Sequence, residues 1–242
     1  MYENLHVFDS PYDTAHAVAE IILEKAKEKH KLSLPLNIAV SGGNTPKILF
    51  TILTTDFSES IPWNIIRLFW VDERCVPPTH PDSNFGMTYE SLLKHLPIHD
   101  TNIFRMDGEI NPEKEAIRYQ KVLEKELPTN NGFPQFDLIL LGMGDDGHTA
   151  SIFPNDLSLL KSPELVSVGI HPTTGQKRIT LTGQTINQAK EIIFLITGNS
   201  KADVLRQIIH HEPTFEKYPA AFIHTNSGNV EFYIDKAAAS QF

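Results

Sequence analysis

Phe136-Asp-Leu-Ile-Leu-Leu-Gly-Met-Gly-Asp-Asp-Gly-His-Thr-Ala-Ser-Ile-Phe-Pro154 is the stretch whose reading decides the fold. The apolar run Leu138 to Leu141 has the length of a buried strand. It breaks into Gly142, Gly144 and Gly147, which let the backbone turn sharply and come close to a ligand. Set in that turn are Asp145, Asp146 and His148. A carboxylate so near an imidazole can hold the ring in one tautomer and leave the other nitrogen free as a base. In an open α/β sheet the carboxyl ends of strands are where ligands bind.

Other chemistries fit the same letters less well. Gly142-x-Gly144-x-x-Gly147 matches a dinucleotide fingerprint, but Asp145 and Asp146 would repel the pyrophosphate and Pro154 limits the following helix. Asp145, Asp146 and His148 could ligate a metal, yet no second His stands at i+4. A purely structural turn would be a costly place for two acids and a histidine.

Outward from this stretch, strands and helices alternate. Leu36 to Val40 runs into Ser41-Gly42-Gly43-Asn44-Thr45-Pro46 and then into a helix. Exposed amides and the positive end of the helix dipole make such a turn an anion site. It is not a Walker A loop, because the Gly-Lys-Ser/Thr ending is absent. Ile65 to Val71 reads as a core strand ending in the charges Asp72-Glu73-Arg74, which a solvated loop would also explain. Glu191 to Thr197 is a further strand, followed by Gly198-Asn199-Ser200-Lys201 and a helix. A cation at Lys201, in the first turn, opposes the helix dipole unless an anion lies between them.

The flanks follow the same rhythm. Leu5 to Phe8 reads as a strand, and Ser10-Pro11 opens a helix with Ser10 as N-cap. Asn84 to His95 and Pro112 to Leu127 read as helices, and Asn102 to Arg105 as an edge strand. Leu165 to Val168 and Arg178 to Thr182 read as strands, and Ile186 to Ala189 as a short helix. Ala220 to His224 and Val230 to Ile234 are expected as a closing pair of strands. The expectation is one domain over residues 1–242, an α/β three-layer, doubly wound, largely parallel sheet with helices on both faces.

Composition narrows the partners. The formal charge of −9 argues against nucleic acid or an anionic membrane, both of which need a basic surface. Cys75 is the single cysteine, so there is no intrachain disulfide and a reducing compartment is expected. No basic n-region and apolar h-region opens the chain, and the apolar runs are too short to span a bilayer. The cytosol is the expected location.

Four strand ends thus carry unusual chemistry: Ser41 to Thr45, Asp72 to Arg74, Asp145 to His148 and Asn199 to Lys201. Together with Arg178-Ile-Thr-Leu-Thr, they closely resemble the 6-phosphogluconolactonase family from about Val7 to Ile234. The resemblance implies hydrolysis of 6-phospho-D-glucono-1,5-lactone, with no metal or organic cofactor. His148 would be the base, oriented by Asp146, and Arg74 and Arg178 would stabilise the oxyanion or the phosphate. Gly42, Gly43 and Asn44 amides, the Ser41 and Thr45 hydroxyls and Lys201 would hold the phosphate, with Asp72 on Arg74 or a sugar hydroxyl. Ser151 lacks a Gly-x-Ser-x-Gly elbow and is not expected as a nucleophile. The expected partner is a small phosphorylated sugar lactone, bound by a monomer or small homo-oligomer.

Two other readings belong to the same resemblance. Glucosamine-6-phosphate isomerase shares the fold, but where it carries a ring-opening Glu this chain has Phe153, and its Asp-Glu-Tyr is here Asp72-Glu73-Arg74. A non-catalytic sugar-phosphate sensor would be expected to lose the base and to carry a DNA-binding domain, for which 242 residues leave no room.

Overall fold

The computed structural model describes residues 4–226 and 228–242. In chain order the strands are β1 (Leu5–Phe8), β2 (Leu36–Val40), β3 (Ile66–Trp70), β4 (Asp72–Arg74), β5 (Ile103–Phe104), β6 (Thr129–Asn130), β7 (Phe133–Pro134), β8 (Leu138–Leu141), β9 (Val166–Ile170), β10 (Lys177–Leu181), β11 (Ile192–Ile196) and β12 (Val230–Asp235). The α-helices are α1 (Pro11–Lys31), α2 (Asn44–Thr55), α3 (Asn84–Ser91), α4 (Pro112–Glu126), α5 (Gly183–Asn187) and α6 (Ala202–Ile209).

Seven strands form one sheet in the order β1-β12-β11-β8-β2-β3-β5. Every pairing in it is parallel. Its central strands are apolar on both faces, as a sheet covered on both sides requires. Ile38, Val40, Leu138, Leu140, Ile193 and Leu195 point into a core with Val18 and Ile22 of α1 and Leu49 and Phe50 of α2. Their neighbours Ala39, Ile139, Leu141, Ile192 and Phe194 point the other way, against Tyr119 and Leu123 of α4 and Leu205 of α6. The period-two alternation of one strand therefore serves both outer layers. The three-layer, largely parallel architecture read from the sequence is what the chain adopts.

Chain order sets the site. From β2 the sheet runs outward through β3, and from its neighbour β8 it runs the opposite way through β11. The loops after β2 and β8 consequently diverge at their carboxyl ends, which opens a crevice between them.

One alternative drops out and one expectation needs correction. Asp72 to Arg74 is not the solvated loop that its charges would also allow: β4 pairs antiparallel with β10, which pairs with β9, making a second sheet beside the crevice. Ala220 to His224 is not a strand. Pro219–Phe222 is a 3-10 turn, and Ala220 N donates to Gly147 O at 3.1 Å. β12 therefore closes no hairpin and inserts between β1 and β11. The expected Ser10 cap is present, accepting from Asp13 N at 3.2 Å.

Candidate active site

The crevice holds a cavity of about 450 Å³. Ser41, Gly42, Gly43, Asn44, Thr45, Asp72, Arg74, His148, Arg178 and Lys201 all line it. Asp146 stands behind His148. The residues singled out on four separate strand ends are thus brought to one place.

The histidine turn is built around its glycines. Leaving β8, the chain folds back so that Gly144 N donates to His148 O at 2.8 Å and Gly147 N to Gly144 O at 3.0 Å. His148 Nδ1 lies 2.6 Å from Asp146 Oδ1, which also accepts from His148 N at 3.1 Å. With the carboxylate beside Nδ1, the neutral form of the ring carries its proton there and leaves the Nε2 lone pair free. Burial pushes the Asp146 carboxyl up, but the hydrogen bonds and charge of His148 outweigh it and hold the group at about 2. A Cβ on Gly144 would lie 2.1 Å from His148 Nδ1 and 2.6 Å from Asp146 Oδ1, so only glycine leaves room for the pair. On its other side the imidazole packs on buried Phe153, ring centroids 4.8 Å apart.

Strand β4 divides its side chains by the pleat. Asp72 and Arg74 face the cavity. Glu73 turns away and accepts from Ser83 Oγ at 3.0 Å and from the amides of Arg74, Asn84 and Phe85, each at 2.7 Å. Burial raises the Glu73 pKa, and those donors offset only part of the rise. Arg74 and Arg178 are cross-strand partners. Like charges placed opposite one another repel unless an anion bridges them. Burial, aided by Arg74 and opposed by Asp72, lowers the pKa of Arg178. Arg74 donates to Asp82 O at 2.6 Å, and the Arg178 guanidinium lies over the Phe153 ring at 5.5 Å. The Nε groups of both arginines are buried with no partner among the described residues.

Asp72 is buried, and each of its carboxylate oxygens accepts a hydrogen bond. Its Oδ2 accepts from Ser151 Oγ at 2.5 Å and its Oδ1 from Asn84 Nδ2 at 3.1 Å. Ser151 is wholly buried, so its hydroxyl ties loops together and does not face the cavity as a nucleophile would.

The turn after β2 and the start of α2 lie opposite. Gly43 caps α2 at φ 111° and, having no side chain, bonds none of the first amides of the helix. Those amides are left to face the crevice. Thr45 Oγ1 shares a 2.8 Å hydrogen bond with Thr197 Oγ1. Ser41 Oγ donates to Leu140 O at 2.9 Å, so its proton is directed into the sheet. Lys201 pairs with Asp145, which also accepts from Ser200 Oγ at 2.9 Å. The Lys201 hydrogen bond, with help from Ser200, lowers the Asp145 pKa against a smaller burial effect.

Some contributors carry no signal in the sequence. Asn84 and Thr197 line the cavity, but nothing around either letter marks it. His171 stands edge-on to Phe153 at 5.2 Å, and burial, with Arg178 and His148 adding, lowers its pKa. Ser200 was approachable, since it adjoins Lys201 in a strand-to-helix turn.

A doubly wound sheet with a carboxylate–imidazole pair, paired arginines and an uncapped helix end at its switch point defines an α/β enzyme built for a small anionic substrate. The chain belongs to the family of glucosamine-6-phosphate isomerases/6-phosphogluconolactonase, whose sequence model matches residues 9–232. It is 42% identical over 203 residues to the 6-phosphogluconolactonase of Treponema pallidum, covering 84% of this chain and 83% of that one. It is 40% identical over 228 residues to the 6-phosphogluconolactonase of Haemophilus influenzae, covering 94% and 96%. Among solved structures, the 6-phosphogluconolactonase from Trypanosoma cruzi superposes with a TM-score of 0.85 at 32% identity, covering 99% of this chain and 96% of that one.

Proposed function

We propose that this chain hydrolyses the ring ester of 6-phospho-D-glucono-1,5-lactone to 6-phosphogluconate, the lactonase step of the oxidative pentose phosphate pathway. The observation that carries the reading is the 2.6 Å contact between His148 Nδ1 and Asp146 Oδ1, which leaves Nε2 as a base at the cavity wall. The T. pallidum and H. influenzae lactonases, similar over most of their length, support the same substrate.

In this reading Nε2 of His148 takes a proton from a water as its oxygen bonds to the lactone carbonyl carbon. Asp146 stabilises the imidazolium that forms. A general base of this kind contributes about 10²–10⁴-fold. The tetrahedral oxyanion is met by an arginine, and collapse breaks the bond from C1 to the ring oxygen. His148 then returns its proton to that oxygen, so the base is regenerated and the product is the open acid. The phosphate sits on the Gly42, Gly43 and Asn44 amides, with Thr45 and Lys201 beside it. The paired arginines supply cations that the overall charge of −9 does not.

The isomerase reading asks Asp72 to shuttle a proton. Both Asp72 oxygens already accept hydrogen bonds, from Asn84 and Ser151, and Phe153 offers no proton-moving group. The test is hydrolysis of the phosphorylated lactone against its spontaneous rate, run beside deamination of glucosamine-6-phosphate. Acceleration of the first alone is expected; deamination without lactone hydrolysis would overturn the reading.

A further inference from the structure

Asn84 opens α3 and is almost completely buried, with its exposed remainder on the cavity. Its amide nitrogen donates to Asp72 O at 2.9 Å and to Asp72 Oδ1 at 3.1 Å. Both partners are acceptors, which identifies that atom as the NH₂ and fixes the orientation of the side chain. The amide hydrogens are therefore used, and the carbonyl oxygen Oδ1 accepts no hydrogen bond from the described residues. It is also absent from the buried polar atoms that lack a partner, so it opens on the cavity.

The position of Oδ1 is held from three sides. Glu73 anchors the start of α3 through the amides of Asn84 and Phe85 and through Ser83 Oγ. Asp72 holds the amide nitrogen. Gly42 admits the carbonyl, since a Cβ there would lie 1.8 Å from Asn84 Oδ1. A neutral acceptor set against the anion cradle would repel phosphate oxygens and attract a hydroxyl. Resting on the lactonase reading, we infer that Asn84 is a substrate-positioning residue whose Oδ1 accepts a hydrogen bond from the sugar hydroxyl nearest the phosphate arm, that on C4. Gly42 belongs to the cradle, and with phosphate on C6 the C4 hydroxyl is the ring hydroxyl that comes nearest to it.

The experiment compares kcat/KM for the 6-phosphorylated gluconolactone, its 4-deoxy analogue and its 2-deoxy analogue in wild type, Asn84→Ala and Asn84→Asp. The wild type is expected to prefer the parent lactone to the 4-deoxy analogue by about tenfold, the worth of one well-placed hydrogen bond. Asn84→Ala should abolish that preference and leave the ratio of parent to 2-deoxy analogue as it is in wild type. Asn84→Asp retains an acceptor and should keep the 4-hydroxyl preference even where all rates fall. The ratio is unaffected by a general loss of folded enzyme. Equal losses for Asn84→Ala on the parent and 4-deoxy lactones, in an enzyme whose wild type hydrolyses both, would overturn the role of Asn84 alone. A wild type that hydrolyses none of the three would overturn the lactonase reading and the inference with it.

Discussion

Ser151 Oγ donates a 2.5 Å hydrogen bond to Asp72 Oδ2, and this buried contact joins the loop that carries His148 to the strand that carries Arg74. His148 and Arg74 are thus held in register through the Ser151–Asp72 pair. Ser151→Ala should leave a carboxylate oxygen buried without its donor. The expected loss is about 1–3 kcal/mol of stability, read from urea unfolding, with a several-fold fall in kcat/KM. Unchanged stability would mean the two loops are held by other contacts.

Arg74 and Arg178 face each other across β4 and β10, each with a buried Nε that lacks a partner among the described residues. A planar guanidinium can serve two oxygens of an anion at once, and an ammonium cannot copy that geometry. Arg74→Ala is expected to lower kcat/KM more than Arg74→Lys, with Lys still clearly impaired. Added divalent metal should rescue neither variant, and a chelator should leave the wild-type rate unchanged. Asp72→Asn should be milder than Arg74→Ala. Steady-state hydrolysis kinetics of the three variants with and without chelator would read this; a dead Asp72→Asn beside an active Arg74→Ala would show that the roles given to Asp72 and Arg74 are wrong.

Gly144 tests whether the carboxylate–imidazole contact itself matters. A methyl group placed there lies within 2.1 Å of His148 Nδ1, in a turn closed by backbone hydrogen bonds on both sides. Gly144→Ala should therefore push the ring off Asp146 and reduce kcat nearly as far as loss of Asp146 does, while circular dichroism stays native. An active Gly144→Ala enzyme would show that the pairing is dispensable.

Asp146 also predicts how stability responds to acid. Its carboxyl is held at about 2 in the folded chain, lowered from 3.8. Between those values the unfolded chain binds more protons than the folded one, so stability rises with pH across that window. The contribution of Asp146 is complete above about pH 4 and is lost as pH falls toward about 2. The stability difference between wild type and Asp146→Asn, measured by urea unfolding, should accordingly shrink from pH 4 downward. A difference that stays constant would place the carboxylate outside any interaction with His148.

Much of this architecture is legible in the letters, for identifiable reasons. Parallel strands covered on both faces need unbroken apolar runs, and Leu36–Val40, Leu138–Leu141 and Ile192–Ile196 announce themselves that way. Glycines at the strand ends, Gly42, Gly43, Gly142 and Gly144, mark where the backbone lines the crevice. What fails to show is what depends on partners distant in sequence. Asp72 and Glu73 look like a solvated loop until Ser151, Asn84 and the start of α3 supply their donors. The apolar letters of Ala220 to His224 report burial and say nothing about extension; the segment packs as a 3-10 turn under the histidine loop. Asn84 reads only as the first residue of a helix until Gly42 is found against it.

The claim on which the rest depends is that His148 draws the proton from water. His148→Ala removes the ring while leaving the Asp146 carboxylate partly exposed, so the fold should survive. The decisive measurement is kcat for the 6-phosphorylated gluconolactone in purified wild type and His148→Ala, with both shown to be folded. A fall of about 10²–10⁴-fold is predicted. Turnover within a few-fold of wild type in a folded His148→Ala protein would contradict the account.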